Sequence, residues 1–241
     1  MSGYDSRGVQ YVQASGCLIF ALAIGLLCLM PIVMVDVMRS ALAKLHLEPG
    51  VAGLALVGIF LGSLINLPLY RIPREQDQVY LPLSVYGLGP WSGRWQRVRH
   101  ETIIAVNVGG CIVPSLLAVW QVLHVAEVGG WPLRALVLCA AVNVAACYYL
   151  ARPVRGVGIM MPAFASPALA VGLAWLLLGG AAYDPVRAPI AFVAGVAGPV
   201  IGADLLHLKD IARISSGMLS IGGAGTFDGI VISGLAAALL A

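Results

Sequence analysis

Apolar residues run along the whole length of this chain in recurring blocks of about twenty. A helix needs about 20 apolar residues to cross ~30 Å of hydrocarbon at ~1.5 Å per residue, so blocks of that length predict membrane spans. About seven are expected, over residues 17–35, 51–70, 102–125, 132–150, 159–179, 189–206 and 218–241. The predicted fold class is all-α: a polytopic transmembrane helix bundle forming a single integral membrane domain over 1–241. Broken helices are expected around Pro162 and Pro167 and around Gly222 to Gly225. Proline removes a backbone donor, and glycine permits unwound turns. Such breaks persist at membrane depth where protein or water satisfies the freed backbone groups.

Composition fits that pattern. The 241 residues are 60% hydrophobic and 10% charged, and the mean hydropathy is +0.94, which excludes an ordinary soluble domain. The first block is long and has no clear small-residue cleavage site behind it, so it reads as a span rather than a cleaved signal.

Charge sets the expected orientation, because cytoplasmic links carry the excess of Lys and Arg. With the N-terminus in the cytoplasm, ten of the 14 basic residues lie inside: Arg7, Arg71, Arg74, Arg94, Arg97, Arg99, Arg152, Arg155, Lys209 and Arg213. Arg39, Lys44, Arg134 and Arg187 lie outside. The long link Arg71 to Glu101 is then a cytoplasmic basic and aromatic loop containing Trp91 and Trp95. Basic residues interleaved with Trp at a membrane edge anchor at anionic headgroups, or alternatively serve a protein partner or a gate. The basic run is too short and too close to the membrane for nucleic acid. Membrane lipids are the expected partners.

Cys17, Cys28, Cys111, Cys139 and Cys147 all fall in apolar blocks without paired spacing, which predicts buried free thiols. His100-Glu101 has no second His at helical spacing, so no metal site is predicted, and no cofactor motif occurs.

The candidate chemistry lies near the end of the chain. Asp204 and Asp228 each sit in an apolar block with glycine nearby on the N-terminal side. A carboxylate at membrane depth costs several kcal/mol unless it faces protein or water, so each is a functional candidate. Two facing carboxylates can share one proton. The alternative for Asp204 is an interfacial carboxylate pairing with Lys209. For Asp228 it is structural pairing with Asn or backbone. Asn66, Asn107 and Asn143, inside apolar blocks, must hydrogen-bond across helices, as structural glue or as ligand groups.

The strings Gly-Ala-Asp-Leu-Leu-His-Leu (202–208) and Ser-Ile-Gly-Gly-Ala-Gly-Thr-Phe-Asp-Gly-Ile (220–230) resemble an uncharacterised family of bacterial and archaeal polytopic membrane proteins, the domain-of-unknown-function family sixteen-fourteen. Ile65 to Leu69, Ala105 to Gly110 and the Pro162 to Pro167 element fit it too. The resemblance implies a prokaryotic plasma (inner) membrane protein and carries no activity.

A second resemblance does carry one. Gly225-Thr226-Phe227-Asp228-Gly229 and Ala203-Asp204 are similar to the two aspartate motifs of presenilin and signal peptide peptidase type intramembrane aspartyl proteases, and Pro167-Ala168-Leu169 matches their third element in letters. The chain departs from that pattern at Ala203, at Phe227, and in the order of the third element. The likeness implies catalysis by Asp204 and Asp228. It implies a transmembrane peptide substrate held near Pro162, Pro167, Leu169, Gly225, Phe227 and Gly229, with Asn107 close by. Two other functions fit the chain: a proton- or cation-coupled transporter or channel using Asp204, Asp228 and Asn107, and a non-enzymatic membrane assembly factor docking through Trp91 and Trp95.

Overall fold

The computed structural model describes residues 6–80, 94–154, 158–210 and 217–241. In order these form α1 (Ser6–Ala43), α2 (Pro49–Gly62), β1 (Asn66–Tyr80), β2 (Arg94–Asn107) and a π-helical turn Val108–Ile112 leading into α3 (Val113–Val128). Then come α4 (Gly130–Leu150), β3 (Arg152–Val154), β4 (Gly158–Met160), α5 (Ala165–Leu177), α6 (Asp184–Ala197) with a π-helical continuation Gly198–Leu205, β5 (Gly217–Ile221) and α7 (Gly229–Leu240). Among the described residues, three helical runs are long and apolar enough to cross a membrane: Val108–Val128, Gly130–Leu150 and Ala181–Asp210. They make this a mostly helical membrane protein.

The all-α expectation needs correction. A three-stranded sheet, in the order β1-β2-β5, and a two-stranded β3-β4 sheet stand among the helices. The block at 102–125 opens as strand, not helix, and so do those at 159–179 and 218–241. Thr102-Ile103-Ile104-Ala105-Val106 is rich in β-branched side chains, which favour strands. Periodicity alone does not separate a short buried strand from a helix segment. As a result α2, α5 and α7 have 14, 13 and 12 residues, short of the ~20 that cross a bilayer.

The link Arg71 to Glu101 contains strand at both of its ends. β1 and β2 pair antiparallel from Asn66↔Asn107 to Tyr80↔Arg94, while 81–93, with Trp91, lies outside the described residues. β5 adds in parallel to β2, from Thr102↔Gly217 to Val106↔Ile221. The predicted break in the fifth span also differs. Pro162 precedes α5, and Pro167 is buried in its first turn, where a backbone N–H would have no intrahelical partner anyway. The glycine break at 222–225 is present as a turn between β5 and α7.

The helix interrupted by proline is α6. Pro189 lies inside it and Pro199 in its π-helical continuation. Each lacks an N–H and so releases the carbonyl four residues back. The Pro185 carbonyl is met by His46 Nε2 at 2.9 Å. The Gly195 carbonyl accepts from Ser166 Oγ at 3.4 Å.

Helix ends gather in two groups. At one end Lys44 Nζ donates to the Leu239 carbonyl, Trp175 Nε1 to Leu240, and Gln121 Nε2 to Leu45. At the other end the sheet closes over the finish of α2 and the starts of α3 and α7. Glycine makes that closure possible. A Cβ at Gly109 would sit 2.0 Å from the Ile59 carbonyl oxygen, and one at Gly110 2.0 Å from the Gly222 oxygen.

The bundle interior is joined by polar contacts. Asn143 Nδ2 donates to Ser166 Oγ (3.0 Å) and to the Ala194 carbonyl (2.7 Å), and Ser233 Oγ donates to Ser166 Oγ (2.6 Å). Four helices thus share one buried network. Asn143→Ala is expected to lower stability by about 2 kcal/mol, combining a lost membrane hydrogen bond with unsatisfied partners. Thermal unfolding of purified protein in detergent measures it. Cys111, Cys139 and Cys147 are buried free thiols. The side chains of Cys17 and Cys28 lie outside the described residues.

Candidate functional site

Where the sheet meets the helix ends there is a cavity of about 670 Å³. Its floor is the π-helical segment after α6, which contributes Pro199, Ala203 and Asp204. One wall is β5 and the glycine turn that follows. Another is β4 with Met161 and Ala163, and the start of α7 adds Phe227, Asp228 and Gly229.

Asp204 and Asp228 therefore face the same space. Asp204 lies near enough to feel the charge of Asp228. The buried Cys111 thiol lies within electrostatic range of both.

The two carboxylates are held differently. Asp228 is the N-cap of α7. Its Oδ1 accepts from the Ile230 N–H at 3.0 Å, and its Oδ2 from the Ala224 N–H at 3.2 Å. A capping carboxylate satisfies orphan donors at a helix start, and the second bond ties the glycine turn to the helix. Asp204 has no such support: among the described residues, no donor reaches its carboxylate. It is half-buried on a stretch where Pro199 has opened the helical ladder. π-Helical turns of this kind recur at functional sites.

Behind the cavity wall lies a second polar network. The Gly110 N–H donates to Asn107 Oδ1 (2.7 Å); Asn107 Nδ2 donates to the Ser63 carbonyl (2.8 Å) and to Asn66 Oδ1 (3.1 Å). Ser220 Oγ donates to Asn66 Oδ1 at 2.5 Å, and Ser63 Oγ meets Thr226 Oγ1 at 3.0 Å. Asn107 is fully buried and positions neighbours rather than lining the cavity. Asn66 and Ser220 do line it.

Of the other residues singled out in the sequence, Phe227 and Gly229 line the cavity, while Gly225 (φ +61°) is packed against Ser63 behind it. Pro162 is exposed between two lining residues. Pro167 and Leu169 sit on α5 outside the lining. The roles of Ser220, Ser63 and Thr226 are not legible in the sequence. Isolated Ser and Thr in apolar blocks are common, and their meeting depends on strand pairing.

β5 is an edge strand. Among the described residues it pairs with β2 on one side only, and Met218 to Ile221 line the cavity together with Gly158 to Met160 of β4. An edge strand directs alternate N–H and C=O groups away from its sheet. A separate, aliphatic groove of about 500 Å³ runs between α1 and α7, lined by residues such as Val33, Met38, Leu235 and Leu239. Ile232 lines both the groove and the aspartate cavity.

Neither the search of curated proteins nor that of solved structures returns a match. A family model described as a protein of unknown function, DUF1614, matches residues 60–240. That match takes in every residue lining the aspartate cavity and well over half of the chain, so the chain belongs to the DUF1614 family.

Proposed function

We propose that this protein is an aspartyl-type intramembrane peptidase acting on a transmembrane peptide segment. The observation that supports it is one cavity lined by Asp204, Asp228 and residues of the edge strand β5. An extended peptide can add to a free strand edge through its own backbone, which satisfies groups that lipid cannot. The aliphatic groove meeting the cavity at Ile232 offers an apolar approach from the bilayer side.

Roles follow from the hydrogen bonds. Both oxygens of Asp228 already accept amide N–H groups, so a proton placed there competes with those bonds. No donor among the described residues meets either oxygen of Asp204, so the proton shared by the pair sits on Asp204. Asp228 then takes a proton from water as the water oxygen bonds to the substrate carbonyl carbon. Asp204 gives its proton to the carbonyl oxygen. Collapse of the tetrahedral adduct breaks the C–N bond. The leaving nitrogen takes the proton from Asp228, and the hydroxyl proton returns to Asp204.

The test is purified protein in liposomes, assayed for cleavage of a single-span peptide and for pH-gradient-driven flux. Cleavage supports the reading. Flux without cleavage transfers the pair to a second reading, a proton- or cation-coupled transporter. One observation favours that second reading: among the described residues no donor encumbers the Asp204 carboxylate, which sits on a proline-opened helix of the sort that carries ion sites.

We further infer that the cavity end faces the cytoplasm. The elements there bear Arg71, Arg74, Arg94, Arg97, Arg99, Arg152 and Lys209, whereas Arg39, Lys44, Arg134 and Arg187 lie toward the opposite end. The positive-inside bias then gives the orientation. A thiol introduced at Glu48 is expected to react with an impermeant reagent on intact cells, and one at Lys209 only after permeabilisation. The reverse pattern overturns the orientation.

A further inference from the structure

We infer that Asn66 is a donor site for a backbone carbonyl of the peptide in the cavity. This rests on the peptidase reading. The hydrogen bonds fix which way its amide points. A backbone N–H can only donate, so the Asn107 atom facing Gly110 N is the oxygen. A backbone carbonyl can only accept, so the Asn107 atom facing the Ser63 carbonyl is Nδ2. The same Nδ2 approaches Asn66 at 3.1 Å, which makes its partner there Oδ1. Ser220 Oγ, at 2.5 Å from that oxygen, donates as well.

Asn66 Oδ1 is thus doubly occupied on the network side. Its Nδ2, with two N–H groups, has no acceptor among the described residues, and Asn66 lines the aspartate cavity. The residue is half-buried, and Nδ2 is not a buried unsatisfied atom, so it is open to the cavity contents.

The occupant that fits carries an oxygen acceptor. Two carboxylates share the cavity, and they disfavour a second anion there. A neutral carbonyl on an extended backbone meets both conditions. Ser220 ties Asn66 to β5, and both residues line the same cavity. A donor pre-aimed in this way polarises the carbonyl and stabilises the oxygen as charge develops on it. Asn107 is the positioning residue that sets its angle.

The experiment uses the full chain in liposomes and a single-span peptide that carries a ¹³C=O label and is made resistant to hydrolysis by α-methyl residues. Isotope-edited infrared spectroscopy reads the labelled carbonyl. A downshift on binding to the wild type, lost in Asn66→Ala and kept in Ser220→Ala, is the expected result. Ser220→Ala removes a bond from the same network but leaves Nδ2 in place, so equal loss in both variants overturns a donor role in favour of a structural one. If Asn66→Ala does not fold, Asn66→Asp replaces it. The aspartate still accepts from Asn107 and Ser220 but has no N–H. With the cleavable peptide, kcat is expected to fall roughly a hundredfold in the Asn66 variant with little change in KM. No downshift in the wild type refutes the inference even if cleavage occurs. A downshift with no cleavage of the ordinary peptide keeps the donor site and refutes the peptidase.

Discussion

Asp204→Asn is expected to abolish peptide cleavage while leaving the protein as stable as before, or more stable by up to about 1 kcal/mol. No protein donor among the described residues supports the Asp204 carboxylate, so the amide loses no native bond. A poorly supported polar group is the kind of residue that function retains at the expense of stability. The chemistry is different. An amide cannot give up the proton that the scissile carbonyl needs, and loss of a positioned acid or base costs on the order of 10²–10⁴ in rate.

Asp228→Asn should be equally inactive but should also cost about 1 kcal/mol. Asn can still cap α7 through Ile230 N, but its Nδ2 meets the Ala224 N–H donor to donor. The two variants therefore separate by stability and coincide in activity. Cleavage assays in liposomes and melting in detergent measure both quantities. Cleavage that survives both substitutions removes the aspartate pair from the mechanism.

Gly110→Ala is expected to lower stability by more than about 3 kcal/mol, or to prevent accumulation of folded protein, by forcing apart the backbone around which the site is built. Its Cβ would fall 2.0 Å from the Gly222 carbonyl oxygen and 2.9 Å from the carbonyl carbon, with no flexible side chain to move aside. Gly222→Ala meets the same contact from the other side, 2.7 Å from the Gly110 carbonyl carbon, at φ +70°. Because one contact is damaged in both, the double variant should cost less than the two singles added. Gly172→Ala is the control. Nothing lies within 4 Å of its built Cβ, and mid-helix alanine is favoured by roughly 0.5–1 kcal/mol. Denaturation of the four proteins in one detergent decides the matter; a Gly110→Ala protein as stable as the wild type would refute the close approach.

Some of this was determined by the sequence alone. The long apolar blocks require a membrane, because no water-soluble core absorbs so much aliphatic surface in runs of that length. The same blocks pick out Asp204 and Asp228, since a carboxylate in such surroundings needs a reason. The glycine break before Asp228 was legible too, because four residues with three glycines carry little helix propensity. Asn143 was open to reading as interhelical glue, since a buried amide has to find partners.

The tertiary structure decided the rest. Strand pairing is non-local, so nothing in the letters at 66–80, 94–107 and 217–221 shows that they meet in one sheet. That pairing shortens three expected spans, gives the cavity its strand edge and brings Ser220 to Asn66. The consequence of proline was positional. Pro167 is harmless in a first turn, while Pro199 opens α6 beneath Asp204. Last, the hydrogen bonds divide two similar carboxylates: amides of its own turn hold Asp228, while no donor among the described residues reaches Asp204. The polar network behind the cavity is tertiary, because Ser63 meets Thr226 and Asn66 meets Ser220 across 163 and 154 residues.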